Sequence, residues 1–355
     1  MYLRTLPGML VLIVLLIAGC GTGSPPPVAS VPEQPGSPMT HTPVATDQQL
    51  RRVTLALSYI PNVQFAPYYV ARSNGHYAAA GLDVLFDYNF ETDVAQRVAR
   101  WPQSQIEFAT VSGASVLLAR QQGLPVQSVM TLYQDFPVVF FSKSNVPLAT
   151  PRDLQGRRIG IPGRFGESFY ALLALFYASD LTEDDVYVQE IGFSQVQMIL
   201  EDRVEVAIGY AMNEPLLLRQ QGVAVNILRA ADILPLVANG IVVSEQLIEQ
   251  DPDLVRRFVH GSLQGLQDTL ANPDEAFTIS LAEIPEAELG DPELQRQVLL
   301  ESLPYWHSVL TDEQGLGYSD PEAWEQTHRF MLDSGLLTRS VPLAESFTNE
   351  FIDSD

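Results

Sequence analysis

From residue 52 to about 235, short apolar strands alternate with helical segments, and no other feature commits the chain so firmly to an α/β fold class. The first unit reads as a strand over 53–58, a helix over about 65–79 and a strand at "LDVLFDY" over 82–88. A helix at about 91–100, a strand at "IEFATV", a helix at 113–122 and strands at 126–134 and 138–143 follow. A second α/β unit opens at "TPRDLQGRRIGIPG" with a short helix, a turn at Gly156 and a buried strand over 158–161. The glycine-rich turn 163–166 then feeds a helix whose apolar face is "YALLALFYA". "DVYVQEIG" is a strand, "SQVQMILED" a helix, and "VEVAIGYAMNEPLLLRQQG" a strand, a loop and a helix. "LVANGIVVS" is a strand that leads back to the first unit. From about residue 244 the pattern is helical. "DPDLVRRFVHGSLQGLQDTLAN" begins with an Asp-Pro cap signal and continues with apolar spacings of three and four.

These units divide into a first lobe at 51–137, a second at 138–235, and a return over 236–355 that supplies C-terminal helices. Crossing segments near 135–140 and 233–241 imply a hinged cleft between the lobes. Ligands of open α/β sheets bind outside the carboxyl ends of the strands. The stretch "LSYIPNVQFAPYY" lies at such an end.

The N-terminus is of another kind. "MLVLIVLLI" at 9–17 follows Arg4 and has the size of a signal-peptide core rather than a membrane span. It closes on Ile17-Ala18-Gly19-Cys20, which looks like a bacterial lipoprotein signal, with residues 1–20 ending at a lipidated Cys20. Residues 21–50, rich in Pro, Ser, Thr and Gly, read as a flexible tether. The expected location is the extracytoplasmic face of the cell membrane, held by the lipid. Cys20 is the single cysteine, so an intramolecular disulfide and a Cys-based metal cluster are both excluded. A net charge of −23 with Lys143 as the only lysine argues against nucleic acid as a partner. An apolar fraction of 46% over 355 residues supports two proper cores.

Four motifs in order carry a resemblance: "YIPNVQFAPYYVARSNGHYAAAGLDV", "ATVSGASVLLARQQGLPVQSV", "DLQGRRIGIPGRFGESFYALL" and "GYAMNEP". Over about residues 52–260 the chain resembles the thiamine-precursor-type periplasmic binding proteins, the substrate-binding components of ABC importers for vitamins and their precursors. The resemblance implies a two-lobed periplasmic-binding-protein fold of type II, with a hinge and a helical C-terminal covering. It implies ABC permease and ATPase subunits as partners, no cofactor, and a heteroaromatic ligand. The form Y-I-P-N-x-Q-F-A-P-Y-Y is most similar to the riboflavin-binding branch, with a thiamine pyrimidine precursor of hydroxymethylpyrimidine type as the alternative.

A flat heteroaromatic ligand is held by stacking plus a few placed hydrogen bonds. Tyr59, Phe65 and Tyr68 offer aromatic faces, Asn62 a donor and an acceptor, and Pro61 a fixed backbone. Tyr69 reads as helix core. In the second lobe Gly166, Glu167 and Ser168 form a ligand-closing loop, and Arg164 beside them is an alternative partner for a surface acid. Tyr210, Asn213 and Glu214 stand at a strand end, where Glu214 either binds ligand or caps the helix opening at Pro215. Ser112 and Gly113 occupy another strand-to-helix turn, and Tyr133 and Gln134 are weaker candidates. Trp101, Trp306 and Trp324 read equally as core or stacking residues, and Trp306 beside Tyr305 is placed to reach the cleft.

Catalysis has little support in the sequence. His41 lies in the tether, and His76, His260, His307 and His328 lack metal-site spacing. "GES" at 166–168 lacks the nucleophile-elbow pattern. The pyrimidine synthases that share this fold carry a cysteine-rich motif, which this chain does not have. An extracytoplasmic enzyme and a signalling receptor on the same fold are the rivals to a transport role.

Overall fold

The computed structural model describes residues 50–88, 91–285 and 290–352. The expectations placed on the signal peptide, Cys20 and the tether up to residue 49 lie outside the described residues. The first α/β unit contains β1 (Arg51–Leu57), α1 (Ala66–Ser73), α2 (His76–Ala79), β2 (Leu82–Tyr88) and α3 (Glu91–Ala99). It continues with β3 (Phe108–Ser112), α4 (Gly113–Gln121) and β4 (Val126–Thr131). The second contains β5 (Val138–Lys143), β6 (Arg158–Ile161), α5 (Gly166–Ala178), β7 (Tyr187–Glu190) and α6 (Gln195–Leu200). It closes with β8 (Val206–Tyr210), α7 (Glu214–Gln220) and β9 (Val225–Arg229). The return strand is β10 (Asn239–Ser244), followed by α8 (Glu245–Gln250), α9 (Pro252–Ala271) and α10 (Pro273–Glu283). The remaining described helices are α11 (Pro292–Ser302), α12 (Val309–Gln314), α13 (Pro321–Asp333) and α14 (Leu343–Ser346).

The strands form two five-stranded sheets, ordered β2-β1-β3-β10-β4 and β7-β6-β8-β5-β9. In each, the first three strands run parallel, and one strand arriving from the other unit enters antiparallel next to the edge strand. The α/β architecture expected from the alternation is the one the chain adopts. Strand β5 shows why its first four residues are all apolar. Val138 and Phe140 pack into the main core, while Val139 and Phe141 face a smaller one with Ile199, Val204, Ala207 and Leu218. Successive side chains of a strand point to opposite faces, so a strand covered on both sides needs both sets apolar.

The single helix expected at 65–79 is two helices, because Gly75 adopts φ +79 between α1 and α2. A residue there leaves right-handed helical geometry at little cost only when it is glycine. Helix α9 packs against α1 and α2 and reaches β3 through Phe258. Its start is capped by the Asp251 side chain, which accepts from the Leu254 N–H at 3.0 Å, and Pro252 fits the first turn. Phe258 of α9 is fully buried between the Tyr77 ring at 5.2 Å and the Phe108 ring at 3.6 Å, both stacked.

The C-terminal helices do more than cover the first lobe. Thr327 of α13 accepts from the Val237 N–H at 3.0 Å, and the Tyr305 carbonyl accepts from the Gln134 N–H at 2.7 Å. The tail therefore grips both crossing segments. Replacing Phe258 by Ala deletes a stacked ring from a packed interior, and a loss of about 3–5 kcal/mol in unfolding free energy is expected. A urea titration checks this, with a lowered midpoint and an unchanged slope.

Candidate functional site

Between the carboxyl ends of the two sheets lies a cavity of about 650 Å³, within the size range of small-molecule sites. On the first sheet the chain leaves β1 at Ser58, whose N–H donates to Thr110 Oγ1 at 3.0 Å, and Thr110 in turn donates to Ser58 Oγ at 3.1 Å. This closed hydroxyl pair forms part of the wall. After Pro61 the chain makes a 3-10 turn over Val63–Phe65, which passes Phe65 and, one turn of α1 later, Tyr68 to the cavity. Tyr59, Phe65 and Tyr68 all line it.

Asn62 and Ser112 are placed differently. Asn62 is extended, with φ −153 and ψ 153, and its Oδ1 accepts from the Gln64 N–H at 2.9 Å. Its acceptor is committed to starting the turn, and it lies outside the lining, whereas Gln64 is part of it. Ser112 is fully buried and caps α4 by accepting from the Ser115 N–H at 3.2 Å. Ser115, one turn further on, lines the cavity instead. Tyr69 is buried core, its hydroxyl 3.0 Å from that of Tyr88.

The second sheet contributes the opposite wall. Gly166, Glu167 and Ser168 at the start of α5 all line the cavity, with Glu167 and Ser168 buried. Arg164 turns away from them, pairing with Glu183 and reaching Glu190 at 3.5 Å. Tyr210, Asn213 and Glu214 line the cavity where β8 ends and α7 begins. Glu214 fills both roles that its position allowed. Its Oε2 accepts from the Tyr210 N–H at 2.9 Å, which ties the turn, while the carboxyl also borders the cavity. A Cβ at position 209 would lie 2.4 Å from that oxygen, so any larger residue there would displace the carboxyl from this position. Burial pushes the Glu214 carboxyl up to about 7, against the N–H bonds from its own backbone and from Tyr210 that stabilise the anion.

Tyr133 lines the cavity and Gln134 does not, since its Nε2 donates to the Thr131 and Tyr318 carbonyls at 2.8 and 3.1 Å. Trp306 and Trp324 are fully buried. Trp306 meets the site only through the Tyr133 ring, edge-on at 6.1 Å. Trp101 donates its Nε1–H to Glu107 at 3.3 Å. None of the described histidines lines the cavity; His76 and His307 pair with Asp268 and Asp312, each at 2.7 Å. Sequence reasoning missed Phe165, Phe193, Gln195 and Asn239, all in the lining. Phe165 adjoins a loop already singled out, and its exposure of 45% is the signal that burial of an aromatic ring is incomplete. Among the described lining residues there is no Lys or Arg, and the acidic ones are Glu167 and Glu214.

A family model described as NMT1/THI5 like matches residues 62–276. The riboflavin-binding protein RibY of Chloroflexus aurantiacus is 61% identical over 96% of this chain and 96% of its own. The formylaminopyrimidine-binding protein of Halalkalibacterium halodurans is 25% identical over 96% of this chain and 97% of its own. Among solved structures, the periplasmic aliphatic sulphonate binding protein SsuA from Escherichia coli aligns with a TM-score of 0.67 at 11% identity, over 85% of this chain and 99% of that one. This last likeness is one of fold: the two-lobed periplasmic-binding-protein architecture.

The raised Glu214 carboxyl has a consequence for stability. Unfolded, the group titrates near 4.5; folded, it titrates near 7. Between those values the folded chain holds the extra proton, so this contribution is complete below pH 4.5 and is lost as pH rises through about 7. One proton corresponds to at most about 1.4 kcal/mol per pH unit. Denaturant titrations across that window are expected to show a shallower fall in stability for Glu214→Gln than for the wild-type chain.

Proposed function

The chain belongs to the NMT1/THI5-like family, and from that premise we propose that it is the extracytoplasmic substrate-binding component of an ABC importer whose cargo is riboflavin. The observation that carries the cargo is the near full-length identity of 61% to a riboflavin-binding protein. The cleft supports it. Tyr59, Phe65 and Tyr68 on one wall and Phe165 and Phe193 on the other offer faces to a flat ring system. Ser168, Asn213 and Gln195 add side-chain hydrogen-bonding groups suited to a polyhydroxyl chain. With no Lys or Arg in the described lining to pair a phosphate, the site suits a neutral ligand better than a phosphorylated one.

In this reading the protein binds and releases its ligand without transforming it. Ligand shifts the lobes toward a closed form that docks on the permease, which works with an ATPase subunit. Cys20 carries the lipid that holds the chain at the membrane. The alternative cargo is a pyrimidine precursor of thiamine, supported by the 25% identity to a formylaminopyrimidine-binding protein.

Riboflavin fluorescence titrated with the full chain in detergent is expected to show saturable quenching. Flavin mononucleotide, which differs by an added phosphate, is expected to bind at least about tenfold more weakly. Tyr59→Ala is expected to weaken riboflavin by about tenfold, the usual worth of one aromatic contact. Unchanged riboflavin fluorescence together with calorimetric binding of hydroxymethylpyrimidine would transfer the assignment to the alternative cargo. Cys20→Ser is expected to move the protein from the membrane to the soluble fraction on ultracentrifugation; retention in the membrane would refute the lipid anchor.

A further inference from the structure

Two buried polar atoms in the first-lobe wall have no hydrogen-bond partner among the described residues: the Tyr68 hydroxyl oxygen and Asn239 Oδ1. Both residues line the cavity, and Tyr68 has no exposure to solvent. Leaving such a group unpaired costs about 1–3 kcal/mol, and at a cavity wall the partner is supplied by a bound ligand or by an ordered water that a ligand displaces. Their backbones are held firmly. Asn239 opens β10 opposite Ser112, and its carbonyl accepts from the N–H groups of Leu132 and Tyr133 at 3.0 and 3.1 Å. Tyr68 lies in the first turns of α1. The amide and the phenol therefore project from regular elements rather than from mobile loops.

What they demand is specific. An amide oxygen accepts only, so Asn239 needs an N–H or O–H from the ligand, while a phenol can donate to a carbonyl. The surroundings are largely apolar: Leu132 and Tyr133 beside them are buried, and Phe65 lies on the same wall. Two unpaired atoms match one donor and one acceptor on a ring edge. They are too few for a chain bearing several hydroxyls, which needs a partner for each. The neighbouring hydroxyls of Ser58 and Thr110 already bond each other.

On the reading that riboflavin is the cargo, we infer that the ring enters with its pyrimidinedione edge foremost, its imide N–H donating to Asn239 Oδ1 and the adjacent ring carbonyl accepting from the Tyr68 hydroxyl. The ribityl chain then points toward the second lobe, where Ser168 and Asn213 lie. Asn239 is thus a specificity-determining residue on the returning strand.

The test compares riboflavin with N3-methylriboflavin, which lacks the imide proton but keeps the ribityl chain, by fluorescence titration of the full chain in detergent. The wild-type chain is expected to bind the methylated compound at least about tenfold more weakly. Asn239→Ala is expected to weaken riboflavin by about tenfold and to bind the two compounds within about twofold of each other. Lumiflavin, which keeps the imide but lacks the ribityl chain, is expected to retain the wild-type preference over its own N3-methyl derivative. If the wild-type chain binds riboflavin and the methylated compound equally, the orientation is overturned while the cargo stands. The orientation is also overturned if Asn239→Ala discriminates as the wild type does. If riboflavin is not bound at all, the cargo and the orientation fall together. Should Asn239→Ala fail to fold, the wild-type comparison decides alone.

Discussion

One main-chain oxygen holds the site together. The carbonyl of Asn239, on the strand that returns to the first lobe, accepts from the N–H groups of Leu132 and Tyr133, on the segment that leaves it. The outgoing and returning chains are thereby joined at the base of the cleft. Both sheets depend on this arrangement, because each is completed by a strand that has come from the other unit: β10 between β3 and β4, and β5 between β8 and β9. Neither lobe closes its own sheet. The crossings are structural members rather than linkers, and the side chains at their ends, Tyr133 and Asn239, become the inner wall of the cavity. The C-terminal helices reinforce the same point through Thr327 and Tyr305.

The electrostatics follow a related logic. Acidic residues outnumber Lys and Arg by 43 to 20, and many of the arginines are occupied in tying elements together. Arg72 pairs with Glu283, Arg229 with Asp135, and Arg120 with both Glu245 and Glu345. Exposed pairs of this kind add little stability singly. The Arg120 side chain is 8% exposed, so its two pairs are the better protected ones. With the cations committed elsewhere, the cleft keeps two carboxyl groups among its described lining residues. Burial lets Glu214 hold its proton near neutral pH, which makes this part of the wall a neutral acid able to donate as well as accept.

The parts of the molecule legible in sequence were those set by local pattern. Strand and helix alternation gave both units, and the aromatic cluster after β1 gave Tyr59, Phe65 and Tyr68. The turn at 166–168 and the strand end at 210–214 were also visible, since each is a short motif at a strand's carboxyl end. A local pattern does not show where a polar side chain also serves the backbone. Asn62 and Ser112 have the chemistry of ligand contacts, yet each accepts a backbone N–H at the start of a helical turn. Asn239 was invisible for the opposite reason. Within "LVANGIVVS" it reads as the polar opening of a strand, and only the pairing of that strand with β3 and β4, more than 100 residues away, brings it to the cavity. Phe193 likewise carries no signal in its own neighbourhood.

These observations explain how a widely shared scaffold can take a cargo of its own. A fold likeness at 11% identity shows a shared scaffold but leaves the chemistry of the cleft open. Here that chemistry comes from side chains at strand ends and first helical turns, where substitutions leave the sheets intact. Gly209 illustrates how local the change is: the missing Cβ makes room for the Glu214 carboxyl to fold back onto the Tyr210 N–H. A glycine and a glutamate five positions apart thus place a proton-holding acid in a cleft whose described lining has no cation. A ligand bound there must gain from hydrogen bonds and stacking rather than from charge. That requirement favours a flat neutral ring over an anion, even though the same pair of sheets can support either.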